Sequence, residues 1–120
     1  MKKNKLIGVL GLLCAALAML FATASPAAAG SGGNRCLWIS APGDGYIYST
    51  QSCGTIGNYH IHYWAPGFDR NGTEYSYGGG RMYGKFPASL PNGTRVCAEL
   101  WRNNGGGNFS SWGLPCITVG

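Results

Sequence analysis

Two histidines separated by one residue are the first candidates for chemistry in this sequence. His60 and His62 flank Ile61 in a run of aromatic and β-branched residues. On a strand, their side chains would point to one face, about 6.6 Å apart along the chain. Two imidazoles placed in this way can begin a metal site, whose third ligand would be one of the acids Asp44, Asp69, Glu74 or Glu99. We prefer a polar strand face with Tyr59, Ile61 and Tyr63 turned inward, and expect no metal or other cofactor.

Two acids supply a second candidate constellation. Asp69 and Glu74 lie on either side of Asn71-Gly72, a dipeptide that favours tight hairpin turns. A hairpin at this point would bring the carboxylates together, and paired carboxylates can carry out acid–base catalysis.

The segment that contains the histidines also resembles part of a known family of enzymes. Residues 59–69 (YHIHYWAPGFD) are similar to the Tyr/His/Gly-Phe segment of small secreted guanyl ribonucleases, although Pro66 stands where that family has a glutamate. The histidines and the acids together suggest one alternative function, a small secreted hydrolase of the ribonuclease or glycosidase type, in which His60 or His62 would act with Asp69 or Glu74. The chain has no Gly-x-Ser-x-Gly motif and no phosphate-binding loop motif.

Aromatic residues are more numerous than a small core can easily hide, with 4 tryptophans and 7 tyrosines. Exposed Trp and Tyr give a large, rigid contact area with a polar tip, which suits protein interfaces and stacking on sugars. The leading hypothesis is a non-enzymatic secreted binding module for an extracellular protein, as an inhibitor would be, or for a polysaccharide. A structural protein of the cell surface is a further alternative. The expected ligand-binding residues are His60, His62, Tyr63, Trp64, Trp101 and Trp112.

The first 29 residues have the pattern of a cleavable secretory signal peptide. Lysines at positions 2, 3 and 5 precede an apolar run from Leu6 to Phe21, and Ala27-Ala28-Ala29 offers small residues for cleavage, as does Ala22-Thr23-Ala24 just upstream. As a helix, the apolar run would be roughly 24 Å long, which is too short to span a bilayer. We therefore predict an extracellular protein without a stable membrane anchor.

Removing this leader changes the net charge of the chain. The whole sequence carries +5, but residues 30–120 keep 6 basic and 4 acidic residues, which leaves +2. Because these charges are scattered, we do not expect a nucleic acid partner. A chain of this length forms one domain, which we predict over residues 35–120 as a monomer, after a flexible tail at 30–34.

Short runs of Tyr, Trp, Ile, Val and Thr separated by Gly, Pro, Asn and Asp predict an all-β fold. The expected strands cover 35–40, 46–52, 58–64, 73–77, 81–86, 94–102 and 111–119. Seven short strands with this spacing predict a small antiparallel β-sandwich or barrel.

An even number of cysteines remains after the leader, which in an exported chain indicates disulfides rather than a zinc site. If Asp44-Gly45 is a two-residue hairpin turn, residues whose numbers sum to 89 face each other, and Cys36 faces Cys53. Cys97 and Cys116 then form the second bridge. With these two opposite each other, Trp101 faces Trp112 on the same side of the sheet as the disulfide, and the aliphatic residues lie on the other side.

Overall fold

The structure, a computed structural model, describes residues 30–120, so the predicted signal peptide and its cleavage sites lie outside the described residues. The described part contains strands and no helix. The strands are β1 (Ser31–Asn34), β2 (Leu37–Ser40), β3 (Tyr46–Gln51), β4 (Gly57–Ala65), β5 (Phe68–Asn71), β6 (Tyr75–Tyr77), β7 (Met82–Pro87), β8 (Arg95–Gly105), β9 (Asn108–Ser111) and β10 (Cys116–Thr118).

All strand pairs are antiparallel and form two sheets, which confirms the predicted all-β, sandwich-like fold. The four-stranded sheet has the order β1-β2-β3-β7, and the six-stranded sheet has the order β10-β8-β4-β5, with β6 also on β4 and β9 also on β8. The sheets do not close into a barrel. Ten strands replace the expected seven, because β1, β5 and all but the last residue of β9 lie outside the predicted strands.

Residues 30–34, which we expected to be a flexible tail, instead contribute strand β1. The segment pairs with β2, and Gly33 lies opposite Trp38. A Cβ atom at Gly33 would lie 3.3 Å from the Trp38 ring, so the glycine leaves room for the indole. The Gly30 N–H also donates to the carbonyl of Thr118 at 2.6 Å. These contacts hold a segment whose composition alone indicates flexibility.

The hydrophobic core lies between the two sheets and follows the strand alternation. Ile39 and Ile47 of the four-stranded sheet and Leu100 of the six-stranded sheet are fully buried. The inward positions of β4 are buried as predicted, since Tyr59 is 0%, Ile61 6% and Tyr63 3% exposed. The residues between them on β4 therefore point to solvent.

The first predicted disulfide is confirmed, but the hairpin that predicted it has a different register. Cys36 and Cys53 are bridged with their Cα atoms 4.9 Å apart. However, Leu37 pairs with Gln51, so the numbers of facing residues sum to 88 rather than 89. The connection is also longer than two residues, because the last facing pair of β2 and β3 is Ser40 and Tyr48. It is not a type I′ turn, since that type needs positive φ at both central residues and Asp44 does not have it. Cys53 is the second residue after the end of β3 and reaches Cys36 from there.

The second disulfide is confirmed in the predicted register. Cys97 and Cys116 face each other on β8 and β10, with their Cα atoms 4.1 Å apart. Val96 and Ile117, which also face each other, are both fully buried. The predicted aliphatic core face of β8 is therefore correct.

The hairpin that we predicted at Asn71-Gly72 lies elsewhere. The chain turns at Pro66-Gly67, because Ala65 pairs directly with Phe68 and Gly67 has a φ of 74°. That combination suits a type II turn, in which Pro precedes a residue with positive φ. Strands β5 and β6 then follow each other along the same edge of β4. Asp69 and Glu74 consequently do not face each other across a hairpin.

The sandwich is closed at one side and open at the other. Backbone hydrogen bonds from Gly30 to Thr118 and from Gly120 to Ala41 join the two sheets beside β1 and β10. At the opposite side, no backbone hydrogen bond of residues 30–120 joins β7 to β5 or β6. Within those residues, no helix could cross a membrane.

Candidate functional site on the solvent face of the six-stranded sheet

Four of the six predicted ligand-binding residues lie on one surface, the solvent face of the six-stranded sheet. The register of β4 and β8 places His60 opposite Trp101, His62 opposite Glu99 and Trp64 opposite Cys97. Because side chains alternate along a strand and the intervening residues are buried, these all point away from the core. The structure thus places His60, His62, Trp64 and Trp101 on one face.

One half of this face forms a shallow, open concavity of about 680 Å³ beside the β4–β5 hairpin. The His62 Nε2 atom lies 2.5 Å from Asp69 Oδ1, and the His62 and Trp64 rings are 5.0 Å apart. The side chain of His62 is 29% exposed and that of Asp69 76%. Glu99 and Arg70 complete the charged lining. Aromatic rings, carboxylates and a cation therefore share one exposed site.

The other half of the face extends across β6, β8 and β9. The His60 ring meets the Phe109 ring edge-on, with centroids 5.4 Å apart, and Phe109 is 47% exposed. The Asn103 amide donates to Glu74 Oε1 at 2.9 Å. Partial burial lowers the pKa of His60; the Glu74 carboxylate opposes this effect, and nearby His62 adds to it. His60 is therefore held in its neutral form more firmly than a free imidazole.

A metal site is not assembled here. Among the described residues, no group of three His, Cys, Asp or Glu side chains could hold a metal ion. Glu99, one of the predicted third ligands, instead accepts a hydrogen bond from Ser111 Oγ at 2.7 Å. The histidines divide between the two halves of the face, one with Asp69 and the other with Phe109.

Trp112 is not on this face, contrary to the prediction that it pairs with Trp101. Trp101 faces Ser111, and Trp112 packs against the core, where its ring meets Tyr59 edge-on at 6.4 Å. The numbers of facing residues sum to 213 at the disulfide but to 212 at Trp101. A slip of one residue moves a side chain to the opposite face of a sheet.

Gly113 explains this change of register. The Leu100 N–H donates to the Gly113 carbonyl, whereas the Leu100 carbonyl accepts from the Trp112 N–H, so Trp112 and Gly113 both lie opposite Leu100. One extra residue is thus accommodated between β9 and β10, as in a β-bulge. A Cβ atom at Gly113 would overlap the carbonyl oxygen of Asn34. Only glycine allows the bulge to pack this closely against the β1–β2 hairpin.

Tyr63 also lies on the core side of its sheet and not on the solvent face. Its ring stacks on Phe86 with centroids 4.7 Å apart. Burial raises the pKa of Tyr63 above its usual value. The residue lines a cleft between the two sheets instead.

A second aromatic surface, which the sequence analysis missed, covers the solvent face of the four-stranded sheet. Trp38 is 43%, Tyr46 38% and Tyr83 72% exposed. The Lys85 ammonium lies 3.9 Å from the centre of the Tyr46 ring, and the Tyr48 hydroxyl donates to Asp44, which raises the pKa of Tyr48. The alternation Tyr46-Ile47-Tyr48 contained the signal for this face.

Comparison with known proteins gives no relative from which a function could be transferred. No family model matches the chain, and no curated protein or solved structure matches it. Function must therefore be argued from the two faces and the cleft between the sheets.

Proposed function

We propose that this chain is a secreted, non-enzymatic polysaccharide-binding module that uses the solvent face of the six-stranded sheet. The observation that carries the proposal is the open concavity at the β4–β5 hairpin. There, the Trp64 and His62 rings lie beside the carboxylates of Asp69 and Glu99. A shallow site of this kind suits a polymer that passes across the surface.

The chemistry of sugars matches this combination of side chains. A pyranose ring presents C–H groups on its faces and hydroxyls around its edge. Aromatic rings such as Trp64 offer a flat apolar surface for the face. Carboxylates accept strong hydrogen bonds at two oxygens, so Asp69 and Glu99 suit adjacent hydroxyls.

The rest of the face supplies contacts for further sugar units. Trp101 and Phe109 continue the aromatic surface away from the concavity, next to the polar side chains of Asn103 and Glu74. The face therefore alternates rings with hydrogen-bonding groups over several strands. A protein partner fits less well, because charged residues are depleted at the centre of protein interfaces, and here acids line the concavity.

The proposed location follows from the disulfides and the leader sequence. The two disulfides indicate an oxidising environment. Residues 1–29 have the pattern of a cleavable signal. Together they support export of the chain to the medium or the cell exterior.

Binding to insoluble and soluble glycans tests the proposal. The mature protein is incubated with cellulose, chitin and xylan, and the bound fraction is compared for wild type, Trp64→Ala, Trp101→Ala and the matched control Trp38→Ala. We expect affinity for at least one glycan to fall about tenfold or more in the first two variants, which corresponds to about 1.4 kcal/mol. Trp38→Ala, on the other sheet, should bind as wild type.

The proposal would be rejected if wild type binds none of a broad glycan panel. It would also be rejected if Trp64→Ala and Trp101→Ala bind as tightly as wild type. If only Trp38→Ala loses glycan binding, the binding site lies on the four-stranded sheet instead.

The paired imidazole and carboxylate of His62 and Asp69 support one second candidate, a secreted hydrolase. A carboxylate that holds an imidazole in place is a common arrangement for proton transfer. This hypothesis expects hydrolysis of RNA or of a glycan that falls sharply in His62→Gln and in Asp69→Asn. Turnover that survives both changes, or no turnover by wild type, would exclude it.

A further inference from the structure

The outer edge of β7 is an unpaired strand edge with defined hydrogen-bonding groups. The Ala88 N–H donates to the Gly45 carbonyl on the β3 side at 2.8 Å. Because bonding alternates along an antiparallel strand, the even-numbered residues of β7 pair with β3. The backbone N–H and C=O groups of Tyr83 and Lys85 therefore point to the free edge, where no strand of residues 30–120 pairs with them.

Directly beside this edge lies a cleft of about 440 Å³ between the two sheets. Tyr63, Tyr75 and Phe86 provide aromatic walls. The buried side chain of Gln51 is already satisfied, since it accepts from the Tyr75 hydroxyl at 2.7 Å and donates to the carbonyl of Cys53 at 3.0 Å. The deep part of the cleft therefore suits an apolar group, in the size range typical of ligand pockets.

Gly84 keeps this cleft open. It occupies the inward position in the middle of β7, opposite Ser49, and a Cβ atom there would lie 2.6 Å from Ser49 Oγ. The inward neighbours of Gly84 on the same strand, Met82 and Phe86, flank the opening. The side chains of a strand added beside β7 would thus meet a gap rather than a packed wall.

The charged residues on β7 and directly before it are both positive. Arg81, directly before β7, and Lys85, within it, are both exposed. The sequence contains no acid between Glu74 and Glu99. An approaching segment therefore meets cations and a hydrogen-bonding edge together.

We propose that β7 and the adjoining cleft bind an extended segment of a partner protein in which acidic residues alternate with aromatic or aliphatic ones. The segment adds a fifth strand to the four-stranded sheet through the backbone of Tyr83 and Lys85, as in β-strand addition. Its apolar side chains enter the cleft, and its carboxylates lie beside Lys85. A second copy of this chain is a poorer occupant, because pairing two β7 edges would bring two copies of Lys85 and Arg81 together without an acid on either strand.

Synthetic peptides of defined sequence test this assignment on the folded, oxidised protein. The probe is a blocked hexapeptide in which glutamate alternates with phenylalanine. One control peptide replaces glutamate with lysine, and a second replaces phenylalanine with serine. We expect calorimetry to show binding of the first peptide at least tenfold tighter than that of either control.

Two substitutions at one position separate backbone pairing from side-chain contact. Tyr83→Pro removes an N–H that points to the free edge and not to β3, and proline is tolerated at such edges. Tyr83→Ala retains this N–H. We expect Tyr83→Pro to weaken peptide binding at least tenfold relative to Tyr83→Ala, with both variants showing wild-type circular dichroism. Lys85→Glu should reverse the preference between the glutamate and lysine peptides.

Equal affinities of Tyr83→Pro and Tyr83→Ala, or no binding of the glutamate–phenylalanine peptide at millimolar concentration, would overturn the proposal. If the protein forms a dimer that the peptide does not disrupt, the proposal is overturned, and a second copy of this chain is the partner of the edge. Trp64→Ala, which lies on the other sheet, should leave peptide binding unchanged. Failure at this edge is thus separate from failure of the glycan-binding proposal.

Discussion

Replacing Trp112 with alanine should destabilise the protein far more than the same replacement of Trp101. Trp112 packs against the core and meets the Tyr59 ring edge-on, and its indole N–H donates to Ser110 Oγ at 3.1 Å. Trp101 lies on the solvent face, opposite His60. Both residues are tryptophans in the same part of the sheet. The difference between the stability losses of the two variants therefore reports which of them packs against the core, and so reports the register.

The expected magnitude follows from the burial of each side chain. Truncating a fully buried tryptophan to alanine costs about 3–5 kcal/mol. Because Trp112 is only partly buried, we expect about 2–3 kcal/mol, including about 0.5–1.5 kcal/mol from its contact with the Tyr59 ring. Trp101→Ala should cost less than about 1 kcal/mol, the range of a cross-strand pair.

Thermal unfolding followed by circular dichroism measures this difference. In a domain of this size, each kcal/mol lowers the melting temperature by about 4–8 °C, so Trp112→Ala should lower it by about 10–20 °C and Trp101→Ala by less than about 8 °C. Trp112→Phe, which keeps a ring against the core, should recover part of the loss. If Trp101→Ala lowers the free energy of unfolding more than Trp112→Ala does, the observed register is wrong. That result would favour the arrangement predicted from the sequence, in which the two tryptophans face each other.

Two further predictions concern the disulfides and pH. Replacing Cys36–Cys53 or Cys97–Cys116 with serine pairs should cost about 3 kcal/mol in each case, because the bridged residues are 17 and 19 positions apart and loop entropy changes slowly with length. A loss below about 1 kcal/mol by calorimetry for either pair would contradict this. Burial lowers the pKa of His60 below its usual 6.5, so the unfolded chain takes up a proton there first, and stability should fall as pH is lowered from 7 to 5. The loss of stability between pH 7 and pH 5 should be smaller in His60→Gln than in wild type. If the melting temperatures of the two proteins depend on pH in the same way, His60 does not contribute to this loss.

The alternation of side chains along the strands and the number and spacing of the cysteines made two features predictable from the sequence: the buried positions of β4 and the disulfide partners. In β4, apolar and polar residues alternate, so the inward positions of Tyr59 and Ile61 and the outward positions of His60 and His62 were predictable. Alternation depends only on local backbone geometry. The disulfide partners were predictable as well, because residues 30–120 contain only four cysteines and the turn signals between them favoured one pairing.

Registers and edges were decided only by the tertiary structure. The shift that separates Trp112 from Trp101 requires Gly113 to pack against Asn34, which lies far away in the sequence. Residues Ser31–Asn34 form a strand by pairing with β2, where Gly33 leaves room for the Trp38 indole. A pattern within one segment does not contain such contacts, because they depend on which distant backbone atoms approach it. The outward residues of β4 could therefore be predicted from the sequence. The residues of other strands that complete this face, and the unpaired edge of β7, became visible only in the tertiary structure.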